Sequence, residues 1–151
     1  VIYLREALVG EARELSNIAI RSKAYWDYSE AFIQACKQDL TIDETYIHEN
    51  YVYVLKNEEK IAGFFTFERG SNDCLDFFYI NPKFIGKGFG KVLWKYVIEK
   101  ARELGIKSFT IDSDPYAKGF YEKMGAKQIG EAPSTVINDR MLPLMKFTIG
   151  D

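Results

Sequence analysis

Histidine is almost absent from this chain: His48 is the one example in 151 residues. A zinc site built on imidazoles is therefore not expected, and His48-Glu49 lacks the second histidine of an H-E-x-x-H helix. Cysteine is nearly as scarce. Cys36 and Cys74 form no C-x-x-C pair, so no metal knuckle is predicted, and two free thiols in a reducing compartment, the cytoplasm by default, are the expectation. No apolar run approaches the ~18 residues of a membrane span, and no stretch reads as a signal peptide, so no membrane partner is expected. Neither sign of charge dominates, with a formal net charge of −2. That excludes the broad basic stripe by which a protein follows a phosphate backbone, and no nucleic-acid partner is expected. The four prolines cluster nowhere, and repeats, linkers and low-complexity segments are lacking. A single domain over residues 1–151 follows.

What is present is a chain with enough apolar content, 47%, to build an ordinary globular core. Its organising stretch runs from Leu75 to Leu104. Leu75 to Ile80 is a short apolar and aromatic run, as expected of a buried strand. Asn81-Pro82 stops it, because proline cannot continue a central ladder. Gly86, Gly88 and Gly90 then alternate with Lys87 and Phe89. Beyond them Phe89, Val92, Leu93, Tyr96, Val97 and Ala101 recur at helical spacing, and Gly105 follows at the C′ position.

A strand feeding a glycine-rich turn at a helix start suits an anion. The first N–H groups of a helix lack internal partners, the macrodipole adds partial positive charge, and glycine lets a phosphate approach the backbone. Lys83, Lys87, Lys91 and Lys95 gather nearby, which favours a small polyphosphate over a duplex. The spacing is neither G-x-x-x-x-G-K-[ST], since Ile85 and Val92 stand at required positions, nor G-x-G-x-x-G, since Leu93 does. From spacing alone a phosphate cradle and a plain glycine turn remain equal readings.

Around this centre Ile2 to Ala7 reads as a strand, Glu11 to Ser22 and Ser29 to Leu40 as helices, and Thr41 with Glu44 as a capping box for a further helical turn. Tyr51 to Leu55 and Lys60 to Glu68 form a hairpin joined by Lys56-Asn57-Glu58-Glu59. Lys107 to Asp112 is a strand parallel to Leu75–Ile80 through a right-handed crossover. Asp114 caps a helix with Pro115 in its first turn, and Lys127 to Ala132 and Met141 to Ile149 close the chain as antiparallel strands.

Phe84-Ile85-Gly86-Lys87-Gly88-Phe89-Gly90 resembles the acetyl-CoA pyrophosphate loop of the GNAT superfamily of N-acetyltransferases, Q/R-x-x-G-x-G/A, with Ile85 at the Arg/Gln position. Asp114 to Gly125 resembles the same family's N-x-x-A-x-x-F-Y-x-x-x-G, with Asp114 for Asn. The resemblance implies an α/β fold: a mixed sheet of about six to seven strands, parallel at the central βαβ pair, flanked by about four helices. It implies acetyl-CoA as cosubstrate, no metal, and an amine acceptor that is a small molecule or a peptide. A homodimer is left open.

By that resemblance, backbone groups of Tyr79 and Ile80 pair with the pantetheine arm. Ile85, Gly86, Lys87, Gly88, Phe89, Gly90 and Lys91 surround the pyrophosphate, and Asp114, Ala117 and Phe120 complete the cofactor side. Tyr121 matches the tyrosine that protonates the leaving thiolate; read without the family it is a core tyrosine. Asp76 is the candidate base, because an acid in an apolar strand is costly unless paired or functional, and burial raises its pKa. Asp112 and Glu68 compete with it, and a structural acceptor is the plain alternative. Tyr25, Trp26, Tyr28 and Phe32 are candidates for an acceptor wall, Asp27 or Glu30 for attracting a cationic amine, and Arg140 for a contact from the last loop; the aromatic cluster also reads as core. Two functions follow: N-acetyl transfer by direct attack on the thioester, or a non-catalytic acyl-CoA-binding module.

Overall fold

The computed structural model describes residues 1–150. Its centre is a seven-stranded sheet in the order β1-β2-β3-β4-β5-β7-β6. The strands are β1 (Ile2–Glu6), β2 (Tyr51–Asn57), β3 (Lys60–Glu68), β4 (Cys74–Ile80), β5 (Ser108–Asp112), β6 (Lys127–Pro133) and β7 (Met141–Thr148). All pairings are antiparallel except β4 with β5. The helices are α1 (Ala12–Ala24), α2 (Glu30–Cys36), α3 (Glu44–Glu49), α4 (Phe89–Glu103) and α5 (Lys118–Lys123). Mixed sheet, parallel central pair and flanking helices agree with the expected architecture, with one helix more than expected.

Alternation along the strands divides the core into two layers. Phe65, Phe67, Leu75 and Phe109 meet Leu93, Val97 and Ala101 of α4 and Tyr121 of α5. On the other face Val52, Val54, Phe64 and Phe77 meet Leu15, Ile18 and Ala19 of α1, Cys36 of α2 and Ile47 of α3. Each helix thus buries the apolar stripe that its spacing defines. Among the described residues no helix is long and apolar enough to cross a membrane.

Three local expectations are corrected. The cap of α3 is Asp43, whose side chain accepts from Tyr46 N at 2.7 Å, while the Thr41 hydroxyl turns back to the Lys37 carbonyl at 2.6 Å. Lys56 and Asn57 belong to β2 and pair with Ile61 and Lys60, so the hairpin loop shrinks to Glu58-Glu59, with Glu58 at φ 56°. Asp114 caps no helix. It accepts from Tyr116 N at 2.8 Å in a turn, and α5 begins only at Lys118.

Two features of β4 position the site. The first is a bulge: Phe77 faces Thr66 and Leu75 faces Phe67, leaving Asp76 as the extra residue. A bulge interrupts alternation and re-aims a side chain. The second is a seam that opens. β4 pairs with β3 as far as Gly63↔Ile80, but with β5 only at Cys74↔Thr110. Beyond Cys74 one edge of β4 keeps unpaired backbone groups. Aromatic rings stand at this end of the seam: Phe78 lies 5.6 Å from Phe120 and 5.9 Å from Tyr121, and Trp94 lies 5.9 Å from Tyr121.

Gly63 holds β3 close to the end of β4. A Cβ there would lie 2.7 Å from the Tyr79 carbonyl oxygen and 3.0 Å from Ile80 Cδ1. Gly63→Ala is expected to cost about 1–3 kcal/mol by overpacking, seen as a lower Tm in thermal denaturation. Gly10→Ala, where nothing lies within 4 Å of the new methyl, should leave Tm nearly unchanged; equal Tm values for the two variants would contradict this close approach.

Candidate active site

The open seam leads into a cavity of about 320 Å³. Its wall includes Phe78, Tyr79 and Ile80 of β4, the glycine loop, and Ala117, Phe120 and Tyr121 from the α5 region. Gly86 and Gly88 have φ of +84° and +82°, which side-chain-bearing residues rarely adopt. A Cβ on either would meet nothing within 4 Å, so their bare faces look onto open space. Gly90 differs: its Cβ would lie 3.2 Å from the Phe120 ring, so here glycine permits packing of α4 on α5. The Val92 amide reaches back to the Gly88 carbonyl at 3.4 Å. The amides ahead of it have no intrahelical acceptor, as at any helix start. Open space, free N–H groups and the positive helix end together form an anion cradle.

Most residues predicted for the cofactor side come together here: Tyr79, Ile80, Ile85, Gly86, Gly88, Phe89, Gly90, Asp114, Ala117 and Phe120 all border this cavity. Lys87 and Lys91 do not. Lys87 Nζ rests 5.8 Å from the centre of the Phe84 ring, and Lys91 is exposed on the first turn of α4.

A second cavity, of about 470 Å³, lies between α2, α3 and the segment leading into β7. Lys23, Asp76, Tyr79, Asp112 and Asp114 border both cavities. The two spaces therefore meet at the bulge of β4. Glu68, at the far end of β3, borders neither.

Asp76 is reachable from the cavities, yet protein surrounds its carboxyl on most sides. Burial pushes its pKa above the usual carboxylate range. A hydrogen bond from Tyr46 opposes that rise, and the charge of Asp112 adds to it. The Tyr46 hydroxyl donates to Asp76 Oδ2 at 2.5 Å and stands 2.8 Å from Thr66 Oγ1, which accepts from Phe77 N at 3.1 Å. This chain ties the carboxylate to the bulge that aims it. Burial, then Asp76, holds the Tyr46 phenol protonated, its pKa well above the ordinary value.

Tyr121, 5% exposed, faces the first cavity from the other side. Its hydroxyl has no hydrogen-bond partner among the described residues, and burial, followed by the charges of Tyr79 and Asp114, raises its pKa. A carboxylate with a raised pKa and a buried phenol thus border one space. Such a pair can take a proton at one point and give one at another.

Asp114 gathers several neighbours. Lys23 forms an ion pair with it, and the Tyr28 hydroxyl lies 2.8 Å from both carboxylate oxygens. Burial pushes the Tyr28 phenol up to about 12. Of the expected acceptor wall, Phe32 and Arg140 border the second cavity, Tyr28 contacts Arg140 behind it, and Trp26 borders the first cavity. Trp26 stacks on Tyr116 with centroids 5.3 Å apart. Tyr25 is 54% exposed, sits edge-on against Trp26 and borders neither cavity. Sequence reasoning missed Lys23 and Tyr46, whose partners lie far away along the chain.

Comparison with known proteins bears on the fold and the family. The profile of the acetyltransferase (GNAT) domain family matches residues 11–139. The 5-NmdU N-acetyltransferase of Pseudomonas phage PaMx11 is 24% identical over 135 residues, covering 87% of this chain and 91% of that protein. The PaiA N-acetyltransferase of Thermoplasma acidophilum, solved in complex with coenzyme A, superposes with a TM-score of 0.78 at 16% identity, over 98% of this chain and 99% of that one. A GCN5-related N-acetyltransferase from Rhodopseudomonas palustris superposes with a TM-score of 0.77 at 22% identity, over 97% of this chain and 94% of that one. The structural likenesses speak to the fold; the profile, matching most of the sequence across the glycine loop and the α5 block, shows that the chain belongs to the GNAT family of acetyltransferases.

Proposed function

We propose that this protein transfers an acetyl group from acetyl-CoA to a primary amine by direct attack of the amine on the thioester. The observation that carries the reading is the meeting of the two cavities at Asp76, with Tyr121 bordering the donor side. The donor fits the residues present. The diphosphate suits the bare faces of Gly86 and Gly88 and the free amides of α4, and an extended arm suits the unpaired edge of β4. Acetyl-CoA supplies an activated acyl group and a thiol leaving group. Ile85 replaces the Arg or Gln expected at the loop, and backbone donors compensate for that side chain.

The remaining chemistry falls to this chain. Asp76 takes a proton from the incoming ammonium, directly or through water, and its raised pKa brings it closer to neutrality than an ordinary carboxylate. Tyr46 and Thr66 hold Asp76 in position. Tyr121, kept protonated by its raised pKa, passes its proton to the sulfur as the C–S bond breaks. The second proton, which nitrogen sheds as the adduct collapses, returns through water to the tyrosine. The roles do not interchange, because desolvation favours the neutral form of both groups, and of the two only the carboxyl rests ionised near neutral pH to act as a base.

Three substitutions test this reading. Gly88→Asp places a side chain and a negative charge at φ +82° where the diphosphate would approach. Calorimetry should show loss of acetyl-CoA binding, and Tm should fall in line with the ~1–2 kcal/mol that a side chain costs at this positive φ; unaltered affinity in the folded variant would remove the loop from the site.

Asp76→Asn should lower turnover most at low pH, where free amine is scarce, with acetyl-CoA affinity preserved. A folded-state pKa raised above the unfolded value of about 3.9 means that the ionised carboxylate costs stability once pH exceeds that value. Asp76→Asn should therefore raise Tm at neutral pH, with the gain vanishing in acid. A pH–rate profile of unchanged shape and height would make Asp76 structural and turn attention to Asp112.

Tyr121→Phe keeps the ring and removes only the hydroxyl. kcat should fall by about 10²-fold, the low end for a positioned acid, with acetyl-CoA affinity held. The deficit should shrink as pH passes the thiol pKa near ~8.5. A fall in Tm without a fall in turnover per folded molecule would reduce Tyr121 to packing.

A further inference from the structure

The second cavity carries an unbalanced set of charges. Six charged side chains border it: Lys23 and Arg140 against Asp39, Asp76, Asp112 and Asp114. Lys23 and Asp114 pair with each other, their side chains only 14% and 16% exposed, and cancel. Asp39 accepts from the Thr135 hydroxyl on the exposed side of the space. That bond leaves Asp39 charged, so beside the cancelled pair there remain Asp39 at the exposed rim, Asp76, Asp112 and one cation, Arg140. Asp76 and Asp112 stand near each other at the β4–β5 end, and among the ion pairs of the described residues none includes either. Arg140 stands at the α2 side, and none of those pairs includes it.

The pose of Arg140 is well defined. Its guanidinium carbon lies 4.9 Å from the centre of the Phe32 ring and 5.7 Å from that of Tyr28. One nitrogen donates to the Tyr28 oxygen at 3.3 Å, while the Tyr28 hydroxyl donates to Asp114 at 2.8 Å. Guanidinium has five N–H donors in a planar fork, and the protein uses one of them, at long range. A half-buried cation held on aromatic faces with its fork unmet is costly unless something brings an anion to it. Asp76 and Asp112 are more open to solvent, and an ammonium beside them would relieve their mutual repulsion. Phe32, Val136 and Leu142 give the space apolar walls.

We infer that the acceptor is an amine that also carries an anionic group, its ammonium drawn to Asp76 and Asp112 and its carboxylate or phosphate to the Arg140 fork. The inference rests on the acetyl-transfer reading above and adds the acceptor's charge class. A diamine would satisfy the carboxylates but set a second cation against Arg140. A plain alkylamine would leave the guanidinium unmet. The preference comes from a difference: an anion-free competitor leaves a polar group desolvated and unpaired.

The test is a matched acceptor panel, followed by thiol release at saturating acetyl-CoA. Straight-chain ω-amino carboxylates, ω-aminoalkyl phosphates, alkylamines and α,ω-diamines are compared at equal chain length, with the length varied stepwise. The two anionic arms decide between carboxylate and phosphate. At the preferred length, kcat/KM should favour an anionic acceptor over its alkylamine by about 10-fold or more. In Arg140→Gln that advantage should disappear through a rise in KM for the anionic acceptors with kcat held, and Arg140→Lys should restore part of it. Alkylamines or diamines preferred by the parent protein, or an anionic preference that survives Arg140→Gln, would overturn the inference and leave acetyl transfer standing. No turnover of any series, with acetyl-CoA bound, would overturn both. Should Arg140→Gln fail to fold, the ranking of the four series by the parent protein still decides.

Discussion

The architecture turns on a single register pair. β4 and β5 run parallel, yet they are joined only at Cys74↔Thr110. β4 stays bonded to β3 and β5 to β7, so each strand is anchored on its outer side while the seam between them widens. An unpaired strand edge in a sheet interior is normally a defect, because backbone donors and acceptors there must find partners or water. Under the proposed reading it serves as a template for an extended ligand. The rings of Phe78, Phe120 and Tyr121 pack against one another in the wall of the cavity at this seam.

The electrostatics follow from the same opening. The bulge frees Asp76 from the strand's alternation and lets one carboxyl border both cavities. Its raised pKa comes first from burial, and the Tyr46–Thr66 chain keeps that carboxyl oriented instead of letting it turn toward water. A partly desolvated charge that costs stability and is retained in position is a usual mark of a functional group. Across the space Lys23 and Asp114 satisfy each other, so Arg140 remains the cation with capacity to spare.

Local chemistry was legible in the sequence and long-range geometry was not. The glycine loop, the crossover helix ending at Gly105 and the buried face of Tyr121 followed from periodicity and turn chemistry within short windows. Of the three loop glycines Gly86 and Gly88 adopt positive φ, as does Gly105, while Gly90 is helical. The misjudged boundaries had near-degenerate local alternatives. Thr41 and Asp43 are both competent caps, and Lys56-Asn57 suits a strand end as well as a turn. Tyr46 could not be tied to Asp76 from sequence, because α3 is short and its register against β4 depends on packing of the whole face. Likewise the Lys23–Asp114 pair joins α1 to the loop after β5, a contact that only the closed fold creates. The width of the seam has no sequence signature, since every residue of β5 is an acceptable partner for β4.

The central claim is that the unpaired edge of β4, together with the start of α4, receives an extended CoA-like ligand. Residue-resolved amide hydrogen exchange with and without coenzyme A tests it most directly. Among Phe77 to Ile80, the amides facing away from β3 should exchange readily in the free protein and become protected on binding, in step with the amides of Phe89 to Lys91. Binding that leaves β4 exchange unchanged, or that protects a different surface, would contradict the account.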